Sequence, residues 1–145
     1  MSRQIYKTPE ARLEPLFRAL ADRTRLRLLN LMRGQEVCVC YFVEVLRTSQ
    51  PKVSRHLAYL RRAGIVAARR QGTWMHYRIA VPSDPRAARI LNEVLDSLRE
   101  DREMQRDLRR LTAACCAPQK FVTLQSAPIP APLAGPAAEG AGIRD

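Results

Sequence analysis

The sequence predicts an α+β fold that is mainly α-helical, with a single β-hairpin between helices. Apolar residues recur with helical spacing before Gly64, the period changes from 3.6 to 2 after it, and helical spacing returns beyond Asp84. With 145 residues, the chain is long enough for one small core, which we expect within residues 1–112. Residues 113–145 hold a cysteine pair and then an Ala-, Pro- and Gly-rich tail, which we expect to be disordered and dispensable for the fold.

Two amphipathic helices are predicted at the start of the fold. An apolar stripe with i, i+3, i+4, i+7 spacing predicts the first helix over about residues 10–21. That stripe consists of Leu13, Leu16, Phe17 and Leu20. Asp22 then suits the N-cap of a second helix, which ends at Gly34.

A third helix is predicted over about residues 40–46 and a fourth from Ser49, its N-cap, to about Ala63. Pro51 in the first turn costs no hydrogen bond, because those N–H groups have no helical partner. The fourth helix would bury Val53, Leu57 and Leu60 and turn a basic face outward. Two helices joined by a short polar turn have the layout of a helix-turn-helix, although any helical hairpin with a solvated basic face has the same pattern.

A β-hairpin follows, with strands predicted at residues 65–70 and 74–79 and a turn between them. Strand alternation places Met75, Tyr77 and Ile79 on one face and leaves His76 on the other, where we expect it at the surface. Arginines lead into the tip of the hairpin. A basic hairpin directly after the two helices predicts the wing of a winged helix-turn-helix.

The last helix is predicted from Asp84 as N-cap and Pro85 at the first helical position. Its apolar face consists of Ile90, Leu91, Val94, Leu95 and Leu98. Between Arg99 and Asp107 only Met104 is apolar, so we expect the helix to emerge into solvent or to bend there.

Composition limits the function classes. Lys and Arg number 25 against 14 Asp and Glu, a net charge of +11 that favours DNA or RNA as partner. No segment has the apolar length of a membrane span or signal peptide, so we expect a cytoplasmic protein without membrane contact. No cysteine has a plausible base beside it and no phosphate or oxyanion loop is visible, which argues against an enzyme and an organic cofactor.

The four cysteines form two clusters, Cys38 with Cys40 and Cys115 with Cys116. In a reducing cytosol such clusters indicate metal binding or thiol chemistry, although buried cysteines also serve as small core residues. Residues 84–112 contain no His, so a zinc site is not expected there, and thiolates alone favour soft acceptors. Residues i and i+2 of a regular helix diverge, so Cys38 and Cys40 can reach one atom only if that turn unwinds or has not yet begun.

Four stretches resemble the ArsR/SmtB family of metal-responsive winged-helix repressors: LFRALADRTRLRLLNLM, EVCVC, SQPKVSRHLAYLRRAGIVAARRQG and WMHYRIA. They cover about half of the chain. The resemblance implies a homodimer, assembled through the first and last helices, that binds an imperfect palindrome in its operator and releases it when a metal or metalloid binds. Residues 1–112 would then be the DNA-binding and dimerisation domain.

The resemblance also implies which residues contact DNA. The fourth helix would be the recognition helix, with Gln50, Lys52, Ser54 and Arg55 in the major groove. Contacts to phosphates or the minor groove would come from Arg62, Arg69, Arg70, Gln71 and Thr73. His56 is as consistent with packing or phosphate binding as with base reading.

EVCVC resembles the arsenic- and antimony-sensing motif of the family, with two departures. Val43 stands where a third cysteine is frequent, and Tyr41 stands where an acidic residue is frequent. LTAACCAP resembles the vicinal pair of some arsenic-responsive members. The resemblance therefore predicts trivalent arsenic or antimony as inducer, bound by Cys38, Cys40, Cys115 and Cys116 in one shared site or two. The alternative is a winged-helix repressor that senses thiol oxidation or persulfides.

Overall fold

The computed structural model describes residues 13–117, 124 and 127–132. Over these residues the helices are α1 (Leu13–Leu20), α2 (Arg23–Leu31), α3 (Val39–Leu46), α4 (Gln50–Arg62), α5 (Pro85–Ser97) and α6 (Arg102–Cys116). The strands are β1 (Gln35–Cys38), β2 (Val66–Gln71), β3 (Trp74–Ile79) and β4 (Ala131–Pro132). A mainly helical winged helix-turn-helix is thereby confirmed, with α3 and α4 as the two-helix unit and β2–β3 as the wing.

The helix ends follow the caps expected from the sequence. The carboxylate of Asp22 accepts a hydrogen bond from the backbone N–H of Arg25 at 3.0 Å and so caps α2. The Ser49 hydroxyl accepts from the N–H of Lys52 at 3.4 Å at the start of α4. Asp84 caps α5 by accepting from the N–H of Arg86 at 3.0 Å. The predicted start of the first helix, before residue 13, lies outside the described residues.

The two-helix unit packs as predicted. Val53, Leu57 and Leu60 of α4 are fully buried. Helix α3 ends at Leu46, and its C-cap Arg47 adopts the left-handed conformation with φ 54° and so turns the chain towards α4. The ring of Phe42 in α3 lies 6.4 Å from that of Tyr77 in β3, so the core is continuous from this unit to the sheet.

The sheet has the order β2-β3-β1-β4, and all its described pairings are antiparallel. The wing pairs from Val66 with Ile79 to Gln71 with Trp74, which leaves a two-residue turn at 72–73. Gly72 has φ 62°, the positive value that such a tight turn requires. Strand β1 was not predicted from the sequence, which gave no assignment to its four residues.

Strand β1 pairs with the edge of the wing at β3, and this pairing corrects the expectation for His76. Cys38 of β1 pairs directly with His76 of β3, and the His76 side chain is buried at 5% exposure. The prediction of a surface histidine was therefore wrong, because the hairpin is not an isolated two-stranded wing but the edge of a larger sheet.

The C-terminal helices separate where the apolar stripe is interrupted. Helix α5 passes into one turn of 3-10 helix at Leu98–Glu100, and Asp101 then adopts an extended conformation and caps α6. The predicted bend is thus present. Met104 is fully buried in the new helix. The predicted domain boundary at 112/113 falls inside α6, which continues through the second cysteine pair.

Part of the tail also packs against the fold. Glu36 of β1 pairs with Ala131 of β4, and Leu124 is buried at 1% exposure. These residues take part in the structure, contrary to the expectation of a disordered tail, while much of the remaining tail lies outside the described residues. Among the described helices, none has the length and apolarity needed to cross a membrane.

Candidate DNA interface and thiol site

Helix α4 presents an exposed polar face at its first turns. Gln50, Lys52 and Arg55 are exposed, Ser54 is half-buried, and Arg62 is exposed near the C-terminal end. Because Val53 and Leu57 anchor the opposite face in the core, the side chains expected to contact DNA project outward from one rigid helix.

Arg25 fixes the orientation of α4, a role that the sequence gave no reason to expect. Its guanidinium donates to the carbonyl of Ala19 at 2.8 Å and to that of Arg18 at 3.0 Å. It lies 3.4 Å from Nδ1 of His56 and 4.1 Å from the ring centroid of Tyr59, both in α4. Arg25 thus joins the end of α1 to α4. Burial lowers the pKa of His56, and the guanidinium charge acts in the same direction.

The wing residues expected at DNA are exposed: Arg69, Arg70, Gln71 and Thr73. Arg69 is already engaged, since its guanidinium donates to both carboxylate oxygens of Glu36 at 2.6 and 3.2 Å. This pairing lowers the pKa of Glu36. A phosphate must therefore compete with Glu36 for Arg69.

Cys38 and Cys40 lie together, with 3.2 Å between their sulfur atoms. Cys38 ends β1 and occupies the N-cap of α3 with extended backbone angles, φ −72° and ψ 145°. The helical turn has therefore not yet begun at Cys38, which is one of the two conditions that the sequence set for the sulfurs to meet. Cys38 is fully buried, whereas Cys40 is partly exposed and gives access to the pair.

The pair is polarised by its own hydrogen bond. The Cys40 thiol lowers the pKa of Cys38 to about 7, although burial opposes this shift. The pKa of Cys40 is raised, chiefly because its proton is shared with the Cys38 sulfur and because it is buried. With its pKa at about 7, Cys38 is partly ionised near neutral pH, and thiolates are the species that bind soft acceptors.

Tyr41 lies directly after the pair and is fully buried. Its hydroxyl has no hydrogen-bond partner among the described residues. The pKa of Tyr41 is raised to about 12, chiefly by burial and then by the charges of Cys115, Cys40 and Cys38, in that order of strength. The hydroxyl is therefore protonated near neutral pH and within electrostatic range of three of the four cysteines.

The two cysteines of the second pair differ in their burial. Cys115 is half-buried and Cys116 is exposed at the end of α6. Burial raises the pKa of Cys115. Within the described part of the chain, no three His, Cys, Asp or Glu side chains are grouped so that they could hold a metal ion. The structure thus brings Cys38 and Cys40 together but does not join Cys115 or Cys116 to them.

Ion pairs hold α6 against α2. Arg23 donates to Asp101 at 2.7 Å and to Glu103 at 2.8 Å. Arg27 donates to the fully buried carboxylate of Asp107 at 2.7 and 2.9 Å. The helix that carries Cys115 is therefore held against α2 by these ion pairs.

The thiol pair adjoins the wing through the sheet. Cys38 is opposite His76, and His76 is opposite Arg69, so these three residues form one row across β1, β3 and β2. Burial lowers the pKa of His76, and its Nε2 meets no partner in the described residues. A displacement of Cys38 has a direct route to the strand that carries the wing arginines.

The chain is similar in sequence to regulatory proteins of known class. Residues 22–68 match the family model "Bacterial regulatory protein, arsR family". The arsenical resistance operon repressor of Escherichia coli is 41% identical over 103 residues, which are 70% of this chain and 86% of that protein. The arsenic resistance transcriptional regulator ArsR1 of Pseudomonas putida is 44% identical over 86 residues, 59% of this chain and 67% of that one.

Solved structures resemble the fold. HlyU from Vibrio cholerae has a TM-score of 0.53 and 28% identity, over 64% of this chain and 97% of that one. A homodimeric winged helix-turn-helix DNA-binding domain from Mycobacterium bovis, described as a possible ArsR-family regulator, has a TM-score of 0.51 and 30% identity. That match covers 60% of this chain and 81% of the other.

Proposed function

Because the chain belongs to the ArsR family of bacterial regulatory proteins, we propose that it represses its operator until trivalent arsenic or antimony binds its thiols. The family and the fold are those of DNA-binding transcriptional regulators, not of enzymes. The proposal concerns the identity of the inducer, the residues that sense it and the residues that contact the operator. The regulated genes would confer metalloid resistance, as the names of the two relatives suggest.

The observation that carries the proposal is the 3.2 Å separation of the Cys38 and Cys40 sulfurs together with the lowered pKa of Cys38. Arsenite, As(OH)3, exchanges hydroxyl groups for thiols: each new As–S bond releases one water, formed from a hydroxyl of arsenic and the thiol proton. Two such exchanges leave a dithiolate with one remaining hydroxyl, and no oxidation state changes. Two sulfurs that already lie together favour this chelation.

Release of DNA would follow from the two elements that the pair joins. Cys40 is in the first turn of α3, which supports α4, and Cys38 is in the strand beside β3 of the wing. A bound metalloid atom would change the separation of these sulfurs and thus the position of both elements. The two sulfurs are already close together. This supports direct binding of the metalloid over a route in which the first turn of α3 must unwind before binding.

The remaining assignments support a repressor that binds DNA as a homodimer in the cytoplasm. In the major groove we propose Gln50, Lys52, Ser54 and Arg55. At phosphates or the minor groove we propose Arg62, Arg69, Arg70, Gln71 and Thr73. The exposure of these residues on α4 and the wing, which is partial for Ser54, supports both sets. Dimerisation through the first and last helices is proposed, in line with the homodimeric relative from Mycobacterium bovis.

The second pair, Cys115 and Cys116, is proposed as an additional thiol site. Its position on α6, which is clamped to α2 by ion pairs, would let binding there act on the dimerisation helices. Cys116 is exposed to solvent, and this exposure supports capture of a metalloid at the C-terminal end of α6.

The proposal is tested with a fluorescent DNA duplex that carries the promoter region of the chain's own gene. The measurement is release of this duplex from the protein. Arsenite, antimonite, methylarsenite, zinc and peroxide are compared on the wild type, on Cys38→Ser/Cys40→Ser and on Cys115→Ser/Cys116→Ser. We expect arsenite and antimonite to release the wild type and the second variant but not the first. Release by peroxide alone, or an equal response of both double variants, would contradict the proposal.

A second candidate function is sensing of thiol oxidation. The short sulfur-to-sulfur distance and the lowered pKa of Cys38 favour it as well, since a thiolate beside a thiol is oxidised readily. Peroxide would then convert the two thiols to a disulfide and itself to two waters. Release by peroxide that dithiothreitol reverses, with no response to arsenite, would favour this candidate.

A further inference from the structure

We propose that a cavity where the end of α2 meets the bend between α5 and α6 binds a protonated tetrahedral oxyanion, of which hydrogen phosphate is the simplest example. The cavity is open to solvent and has a volume of about 520 Å³. Its lining residues are Asn30, Arg33, Gly34, Arg99 and Leu108. None of these five belongs to α4 or to the wing, and none is a cysteine, so the site is separate from the DNA contacts and the thiol chemistry proposed above.

Two guanidinium groups supply the positive charge of the cavity. Nη2 of Arg33 and Nη2 of Arg99 contact the same oxygen, Oδ1 of Asp96, at 3.2 and 3.7 Å, so the two guanidiniums lie close together. One carboxylate does not neutralise two guanidiniums, and an excess of positive charge remains. The Asp96 side chain is 60% exposed and can turn into solvent, so an anion can take its place between the two arginines.

Arg33 is held in position and keeps donors for a ligand. Its Nη1 donates to the carbonyl of Leu95 at 2.8 Å, which joins the end of α2 to α5. A guanidinium has five N–H donors, and within the described ranges the Arg33 side chain uses them only for Leu95 and Asp96. Burial lowers the pKa of Arg33, and the charge of Arg99 acts in the same direction. An anion between the two guanidiniums would therefore stabilise both charges.

A buried amide adds a hydrogen-bond acceptor to the cavity. Asn30 is 1% exposed, and its Nδ2 donates to the carbonyl of Met104 at 3.0 Å, which fixes the orientation of the amide. Its Oδ1 is buried and has no hydrogen-bond partner among the described residues. Since Nδ2 is engaged by Met104, Oδ1 is the polar atom of this side chain that remains for a ligand. A buried acceptor without a donor is costly, so a ligand that carries a hydroxyl suits this position.

The two requirements together define the ligand class. The guanidiniums favour negative charge, and the amide oxygen needs a donor. Near neutral pH inorganic phosphate has both, because it is a tetrahedral anion that retains at least one hydroxyl, and arsenate shares this chemistry. Sulfate has the same shape but no proton, so one of its oxygens would face the amide oxygen of Asn30. A DNA phosphodiester also has no P–OH group, which distinguishes this site from a DNA contact.

The test titrates the full-length protein with phosphate, arsenate and sulfate near neutral pH. Chloride keeps the ionic strength constant, so that general screening is equal for the three anions. Dissociation constants are measured from shifts of the Asn30 side-chain amide signals in proton–nitrogen NMR spectra. We expect phosphate or arsenate to bind about three- to tenfold more tightly than sulfate, the usual net effect of one hydrogen bond, and the ratio of their affinities distinguishes these two sources. Equal binding of all three anions, or binding of neither phosphate nor arsenate, would overturn the proposal.

Two exposed side chains allow variants with opposite expected effects. Arg99→Gln removes one guanidinium and should weaken phosphate binding by about three- to tenfold, whereas Asp96→Asn removes the competing carboxylate and should strengthen it by a similar factor. Arg102→Gln and Glu93→Gln are the matched controls, since they make the same changes of charge at exposed residues that do not line the cavity. Both controls should bind phosphate within about twofold of the wild type. If each variant behaved like its control, net charge alone would attract phosphate and the proposal would fail.

Asn30→Leu tests the acceptor itself. It should lower the affinity for phosphate to that for sulfate and leave sulfate binding unchanged. A folded Asn30→Leu protein that still prefers phosphate would contradict the role of the amide. Because this substitution also removes the bond to Met104, folding is checked by circular dichroism. If the variant does not fold, the phosphate-to-sulfate ratio of the wild type and the two surface variants decide the question.

Discussion

Replacing Asp107 by Ala removes the buried carboxylate that anchors α6. In the wild type its two oxygens accept hydrogen bonds from Nε and Nη2 of Arg27 at 2.7 and 2.9 Å, and the side chain is fully buried. The substitution leaves the guanidinium, which is 15% exposed, with only the more distant Glu103 at 3.5 Å.

The magnitude follows from which partner stays behind. Breaking a buried ion pair by removing one member typically costs about 3–5 kcal/mol, because the other charge remains desolvated. Arg27 reaches some solvent and keeps a second carboxylate, so we expect the lower end, about 3 kcal/mol. For a domain of this size that is a fall in Tm of roughly 10 °C.

The assay is urea unfolding followed by helical circular dichroism at one fixed protein concentration, since dimerisation would shift the midpoint. The double replacement Arg27→Met/Asp107→Leu is the control. It removes both charges and should unfold within about 1 kcal/mol of the wild type. A loss below about 1 kcal/mol for Asp107→Ala alone would refute the view that this pair is a desolvated anchor.

Three further predictions concern other contacts. Glu36→Gln frees Arg69 for phosphate, so binding to a random-sequence duplex should strengthen. The slope of log binding constant against log salt concentration should steepen by about 0.9. An unchanged slope would show that Arg69 does not reach DNA. Arg25→Ala removes two charged hydrogen bonds and the contact with Tyr59, and urea unfolding should show a loss of about 2–4 kcal/mol; a change below about 0.5 kcal/mol would contradict the anchoring role. The pKa values of Asp101 and Glu103 are lowered by Arg23, so their contribution is present above the ordinary carboxyl pKa and is lost as pH falls through the lowered values. Arg23→Gln should therefore flatten the acid limb of a pH-stability profile, and a profile identical to the wild type would count against this linkage.

Local patterns were sufficient to predict the helical scaffold and the wing. Asp22, Ser49 and Asp84 precede apolar periodic runs, and each caps the helix expected of it. Capping depends on a side chain and an N–H two or three residues away, so the relevant chemistry is contained in a short stretch of sequence. The wing is likewise specified by alternation and by a turn containing Gly72.

Long-range pairing escaped prediction. Strand β1 has four residues, too few for a periodic pattern, and its partner β3 lies roughly forty positions further along the chain. Without β1, His76 could only be assigned to the surface. The anchors of α6 depend on pairs such as Arg27 with Asp107, which are about eighty residues apart and carry no local signal.

The thiol site was predicted in part. The sequence showed that Cys38 and Cys40 can meet only if the helix has not begun or unwinds, and the structure has the first arrangement. The sequence gave no sign that Tyr41, noted only for standing in place of an acidic residue, would be fully buried with its hydroxyl lacking a hydrogen-bond partner among the described residues. That property depends on the packing of α3, which sequence spacing does not specify.

Strand β1 has a consequence for the maturation of the protein. Cys38 is synthesised well before His76, its partner in the sheet, and contacts between distant residues form late because loop closure must precede them. Until β3 is in place, the two thiols are ordinary exposed cysteines of a nascent chain. The buried, polarised pair is therefore a product of completed folding, and the proposed response to a soft ligand would be a property of the finished fold and not of the nascent chain.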